Sequence, residues 1–220
     1  MASSEKEIED TEFEGDVVAA LPLALLESVR THDRPGEVLE DEDLTLSLPR
    51  RFGMSDVIRS QIMRYEAAER SGKSVRLSEV LGLVRLVLRR PDAELILRET
   101  GGRIAEWRYR RVPGALAILY RKLPLRAALL PTARAARRLF VEFRAGNGVT
   151  VHRHPFLVRV TESNSGRVDG GGVTCALFTA ALEKHAQLYT RRSWYVVHTH
   201  CRAQGGTHCE WQATEVTTDT

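Results

Sequence analysis

The chain has 220 residues, 43% of them apolar and 28% charged, enough for one domain with a true core plus an appendage. No stretch approaches the roughly 20 apolar residues that span a bilayer, and the acidic start MASSEKEIED lacks the basic stub and apolar run of a secretory signal, so a cytoplasmic protein is expected. The net charge of +3 conceals a split: residues 1–43 carry 14 acidic and 3 basic side chains, the remainder 15 acidic and 29 basic, the pattern of an acidic arm on a basic body.

Residues 1–48 read as that arm, partly disordered because the first sixteen residues have little to bury. Within it, the apolar patch Val17 to Val29, interrupted by Pro22, predicts a short helix that docks on the body or on a partner. Leu44, Leu46 and Leu48 alternate with Thr45 and Ser47 and predict an edge strand. The expected domain is 49–220. Ser55 is a predicted N-cap for a helix with Ile58, Ile62 and Tyr65 on one face, ending near Gly72. Ser78 is the predicted cap of a second helix carrying Leu81, Val84 and Leu88, stopped by Pro91. A third opens at Pro91 and runs from Asp92 to Thr100 or beyond, with Gly101 and Gly102 as its weak point, and Pro113, Pro124 and Pro131 cut the region after it into short helical pieces. Then the pattern changes. Val149, Val151, Phe156, Val158 and Val160 predict strands broken around His154 and Pro155. SNSGRVDGGG is a loop, Val173 to Leu188 returns to helical spacing, and Ser193–Thr199 and Glu210–Val216 predict two strands joined through Gly205 and Gly206. Helices, strands, a helix and a hairpin define an α+β fold, a helical N-terminal half packed on a small antiparallel sheet.

All three cysteines fall in the last 46 residues, and an odd number in a cytosolic chain suits a metal or a reactive thiol better than a disulfide framework. Cys201 and Cys209 flank RAQGGTH, whose glycines let the chain fold back, while Cys175 approaches from the preceding helix. Three thiolates leave one place in a tetrahedral zinc site, open to His198, His200 or His208. His200 and His208 each adjoin a cysteine, and neighbours rarely converge on one ion. His198 and Cys201 face opposite sides of a regular strand, so sharing an ion requires the strand to end or bulge around Thr199. These points lean toward His198 and leave His200 as the alternative.

Taken together, PFLVRV, VTCALFTAALEKH and HTHCRAQGGTHCEW resemble the 4-vinyl reductase domain family, which includes bacteriochlorophyll 4-vinyl reductase accessory proteins and the sensor domains of phenol-responsive activators. The resemblance covers 149–216 best, with Cys201, Gly205, Cys209 and Trp211 as its hallmark. It implies a fold similar to vesicle-tethering complex subunits and a zinc site at Cys175, His198, Cys201 and Cys209, with His198 standing where the phenol sensors have an acid. It also implies an apolar pocket between helices and sheet for a small hydrophobic or aromatic ligand, for which Trp107, Tyr109, Phe140, Phe156 and Phe178 are candidate walls. His154 and His185 are candidates to orient a polar group of that ligand. Because family members commonly pair, a homodimer is also implied.

Four protein ligands leave no position for an activated water, so such a zinc is structural. No HExxH, P-loop or serine elbow offers a competing catalytic set, and Gly170–Gly172 serve best as a flexible helix entry. Residues 103–144 hold 11 Lys/Arg and 2 acidic residues, with Arg134, Arg137 and Arg138 expected on one helix face. Prolines disrupt a membrane-lying helix there and no base-reading motif is present, so nucleic acid is not an expected partner. The expectation is a non-enzymatic, zinc-stabilised ligand-binding module, a sensor or adaptor. The alternatives are an accessory factor in tetrapyrrole vinyl reduction, or an adaptor working through residues 1–43 or the basic region 103–144.

Overall fold

The computed structural model describes residues 15–33, 56–163, 168–169 and 171–216. The predicted strand at 44–48, the Ser55 cap, the join at 48/49 and most of the acidic arm lie outside the described residues. The chain forms two compact units, 1–87 and 88–220.

In the first unit, β1 (Asp16–Val18) pairs antiparallel with β2 (Ser74–Arg76), and helices α1 (Ala20–His32), α2 (Asp56–Arg70) and α3 (Leu77–Leu88) complete it. Pro22 does not interrupt α1, because in the first turn a missing N–H and a fixed φ cost the helix nothing. The predicted face of α2 is real: Ile62 and Tyr65 are buried with Leu26, and Ile58, Leu23, Val75 and Leu83 pack around them. Gly72 ends α2 at φ +67, where Lys73 N–H reaches Ala68 O at 2.8 Å, a turn that glycine enters without a Cβ penalty. Helix α3 begins at Leu77, so Ser78 sits in its first turn and does not cap it.

The second unit runs α4 (Ala93–Arg110), α5 (Gly114–Lys122), α6 (Leu125–Glu142), β3 (Gly146–Arg153), β4 (Phe156–Ser163), α7 (Cys175–Thr190), β5 (Trp194–His200) and β6 (Cys209–Glu215). Its four strands form an antiparallel sheet ordered β3-β4-β6-β5, onto which α6 and α7 pack. Two sequence expectations fail here, both for tertiary reasons. Gly101 and Gly102 do not weaken α4, which continues through them to Arg110. A Cβ at Gly101 would run into the Leu177 carbonyl oxygen of α7, so the glycine lets two helices approach closely and offsets a propensity cost of about 1 kcal/mol. Likewise Pro131 lies inside α6, not at a break. It forfeits one backbone hydrogen bond, yet Leu129, Ala135, Leu139 and Phe140 bury the same helix face and hold it.

Alternation along the strands turns Phe156, Val158, Val160, Trp194, Val196, Trp211 and Ala213 inward. Phe140 stacks on Phe178 at 4.8 Å and meets Trp211 at 5.2 Å, and Trp211 Nε1–H donates to the Thr179 hydroxyl at 3.0 Å. This aromatic core joins α6 and α7 to β6. Among the described residues no helix is long and apolar enough to cross a membrane.

Candidate metal centre

The start of α7 is built by its preceding loop. Both carboxylate oxygens of Asp169 accept backbone bonds, from Gly171 N–H at 2.8 Å and Thr174 N–H at 2.9 Å. This fixes the approach to Cys175, the first residue of the helix. Gly172 has φ +79, and a Cβ there would stand 2.8 Å from Cys201 Sγ. Only glycine satisfies both demands. The last glycine of the Gly170–Gly172 run therefore makes room for sulfur, beyond loosening the helix entry.

The Cys201–Cys209 turn closes on itself. Cys201 O accepts Gln204 N–H at 3.2 Å and Gly206 N–H at 2.9 Å, and Gly205 sits at φ +91. The Gln204 side chain then donates to Gly171 O at 3.1 Å, tying the turn to the α7 loop. In β5 the strand bulges where the metal reading requires it. His198 pairs with Trp211 and His200 with Glu210, so two residues of β5 advance against one of β6 and Thr199 is the extra residue. The bulge puts His198 and Cys201 on the inner side together.

Cys175, His198, Cys201 and Cys209 converge: their four donor atoms all lie within 4.8 Å of one another, with the three cysteines buried and none of them in a disulfide. Donors held 2.0–2.3 Å from a tetrahedral ion stand roughly 3.3–3.8 Å apart, so small side-chain adjustments would close this set around one. His198 stacks on Trp211 at 4.6 Å, and its Nε2 is buried without a hydrogen-bond partner. The Cys209 thiol is pulled down to about 3, chiefly by a hydrogen bond from Cys175. Burial opposes this, while His198, Ser163 and the Arg202 N–H assist it. That N–H lies 3.4 Å from Cys209 Sγ, an outer support of the kind that orients a metal-binding thiolate. A buried cluster that stabilises a thiolate and leaves a histidine nitrogen bare is chemically suited to a cation.

His200 and His208 do not join this cluster. They lie on the outer side of the hairpin with Glu210, where Glu210 takes two bonds from Arg159 (2.6 and 2.9 Å) and one from Thr199 Oγ1 (3.1 Å). Burial alone would raise the Glu210 carboxyl, but Arg159, Thr199 and the nearby His200 hold it below its ordinary value.

The expected pocket residues scatter. Phe140 and Phe156 are core side chains, Phe178 stacks in the same core, and His154 is exposed at the β3–β4 turn. Trp107 lines an open cleft of about 330 Å³ between α4, α5, α6 and the end of α7. Its walls include Arg108, Arg111, Arg134, Arg138, Tyr120 and Tyr189, which makes it aromatic and cationic, not purely apolar. Tyr109 meets Tyr189 edge-on at 5.1 Å and His185 stacks on Tyr189 at 6.3 Å, so both sit behind the cleft wall. His185 is fully buried. Its Nδ1–H donates to Ala181 O at 2.8 Å, and both its Nε2 and the Tyr109 hydroxyl are buried without partners. Burial, with the nearby Arg108 charge second and the Ala181 bond opposing, pushes this imidazole down to about 3, so it is neutral in the folded protein. Arg134, Arg137 and Arg138 are all exposed on α6; Arg134 and Arg138 line the cleft, and Arg134 and Arg137 line a shallower depression beside β3.

No protein-family model and no curated protein matches this chain.

Proposed function

We propose that the chain is a non-enzymatic, zinc-stapled module of the 4-vinyl reductase domain type that binds a small aromatic ligand bearing an anionic group. The observation that carries it is the convergence of Cys175, His198, Cys201 and Cys209 from one helix and one hairpin. Three thiolates and an imidazole select zinc among common cations, and four protein donors leave it no open position. When bound, the ion supplies cross-linking free energy. The residues do the rest: Gly172 admits Cys201, Arg202 N–H supports Cys209, and the Thr199 bulge turns His198 inward.

The ligand class derives from the cleft. Four arginines and one carboxylate, Glu142, line it beside Trp107, Tyr120 and Tyr189. Arg108 is paired to Glu142 and Arg111 lies over the Trp107 ring at 3.8 Å, which leaves Arg134 and Arg138 at the exposed side to meet a carboxylate. At about 330 Å³ the cleft is at the small end of ligand sites.

The test uses 2-naphthoate as the probe, followed by calorimetry, with 2-naphthol as the uncharged control. Saturable naphthoate binding that weakens at least about tenfold in Arg134→Ala/Arg138→Ala is expected, as charge-assisted bonds of about 1.5–3 kcal/mol each would give. Equal binding of naphthol, or no change in the double variant, would sink the anionic-ligand reading. Metal content of tag-free protein tests the staple separately.

A further inference from the structure

We propose a second metal site on the outer side of the β5–β6 hairpin, formed by His200, His208 and Glu210, that takes a labile divalent first-row transition-metal ion in an open coordination shell. The three side chains each offer one donor atom, and these lie within 4.8 Å of one another. His200 Nδ1 is 3.4 Å from Glu210 Oε1, and His208 Nε2 is 3.7 Å from Glu210 Oε2. Nitrogen and oxygen donors about 2.0–2.1 Å from a tetrahedral ion stand roughly 3.3–3.4 Å apart, so the spacing is already near that of a bound set.

The backbone explains why they meet. His200 and Glu210 are cross-strand partners, and His208 lies two residues before Glu210, on the same side by alternation. Their neighbours Cys201 and Cys209 point to the inner cluster. One hairpin thus displays two donor sets back to back, sulfur-rich and buried within, nitrogen and oxygen at the surface without.

Two details favour an ion over a simple polar contact. His208 Nε2 is shut off from solvent yet has no hydrogen-bond partner, while its Nδ1 is held by the Thr207 hydroxyl at 2.9 Å. That is the arrangement of a metal-binding imidazole, one nitrogen oriented and the other bare. The imidazoles of His200 and His208 also stack at 5.2 Å, a close approach of two bases that a shared cation would use. Arg159 donates to Glu210 Oε2 and Thr199 to Oε1, which fixes the carboxylate as outer partners do for a ligating one. Imidazole and carboxylate donors suit zinc, cobalt or nickel, and three of them leave a position open to water or an exogenous ligand. Exposure of His200 makes this ion exchangeable, unlike one enclosed by the cysteines.

The site is read from the outer residues and stands apart from occupancy of the inner one. Cobalt(II) tells the two apart, because thiolate ligation gives intense charge-transfer bands and an imidazole–carboxylate set gives only weak ligand-field bands. Full-length chain carrying one equivalent of zinc, enough for the inner cluster alone, is titrated with cobalt chloride beside His200→Gln/His208→Gln and Glu210→Gln. The wild type is expected to bind about one cobalt per chain without charge-transfer bands. The double variant should lose that cobalt while keeping its zinc, its thermal transition and its near-ultraviolet dichroism. Absence of ligand-field bands in the wild type, or their persistence in a folded double variant, overturns the proposal. If Glu210→Gln unfolds, the double histidine variant decides alone. Charge-transfer bands on adding cobalt would mean that the inner cluster had been free, a failure of the zinc staple; the wild type should then take about one cobalt more per chain than the double histidine variant, and equal uptake overturns the outer site.

Discussion

At its first residue helix α7 delivers Cys175 to donors from the following hairpin. At its last turns it delivers His185 and Tyr189 to the region of a cleft walled by α4, α5 and α6. The first end is buried and complete in itself, with soft donors facing one another and a thiolate already favoured. The second is cationic and open, with unpartnered polar atoms behind its wall. A site that closes on its own atoms lends stability, whereas one whose polar groups lack partners has room to recognise something else. One helix thus carries two kinds of chemistry, and the close contact of Gly101 with α7 lies between them.

The sharpest way to break this contrast is at the closed end. Cys209→Ser should abolish binding of the tightly held zinc of the inner cluster and cost roughly 5 kcal/mol or more, since metal free energy becomes folding free energy in such sites. Metal analysis and denaturant melts measure both. Retained tightly held zinc with unchanged stability would mean that Cys209 is not a ligand, and no zinc in the wild type would leave only a set of core cysteines. Next in size is the contact between the ends. Gly101→Val, which forces α4 away from Leu177, should cost about 3 kcal/mol by overpacking while about one equivalent of metal stays bound. Full stability in that variant would refute the close approach.

The open end gives the smallest effect, and it depends on pH. Folded His185 titrates near 3 and an unfolded histidine near 6.5, so within that window the unfolded chain binds the additional proton. Its contribution is complete above about 6.5 and is lost as pH falls toward 3, at about 1.4 kcal/mol per unit at the steepest. His185→Gln should show a shallower decline than the wild type in parallel urea melts between pH 6.5 and 5. Parallel declines would remove His185 as a buried neutral base.

Legibility in the sequence tracked the range of the interaction. The α2 face, the β3–β4 and β5–β6 hairpins and the α7 helix rest on local periodicity, and Ile58, Ile62, Tyr65, Phe156 and Val158 could be placed from spacing alone. Even the irregularity near Thr199 was deducible, because His198 and Cys201 cannot otherwise face one ion. Continuity of α4 through Gly101 and of α6 through Pro131 was not, since each depends on a neighbour distant in the chain. The cleft was hidden for the same reason: Arg108, Tyr120, Arg138 and Tyr189 come from four helices with no shared spacing. The outer donor set did have a signal. His208 and Glu210 alternate with Cys209 and Trp211, so a hairpin that turns one pair inward must turn the other out.

The Thr199 bulge also makes the strand a parity counter. Between His198 and Cys201 the step is odd, and the extra residue makes it effectively even. Deleting Thr199 would preserve that parity with a regular strand and sacrifice the contacts of its hydroxyl to Glu210 and His200. Inserting one residue beside it would reverse the parity and send Cys201 to the wrong side. The hairpin is therefore tolerant of losing a residue at the one point where it is intolerant of gaining one, an asymmetry set by counting alone.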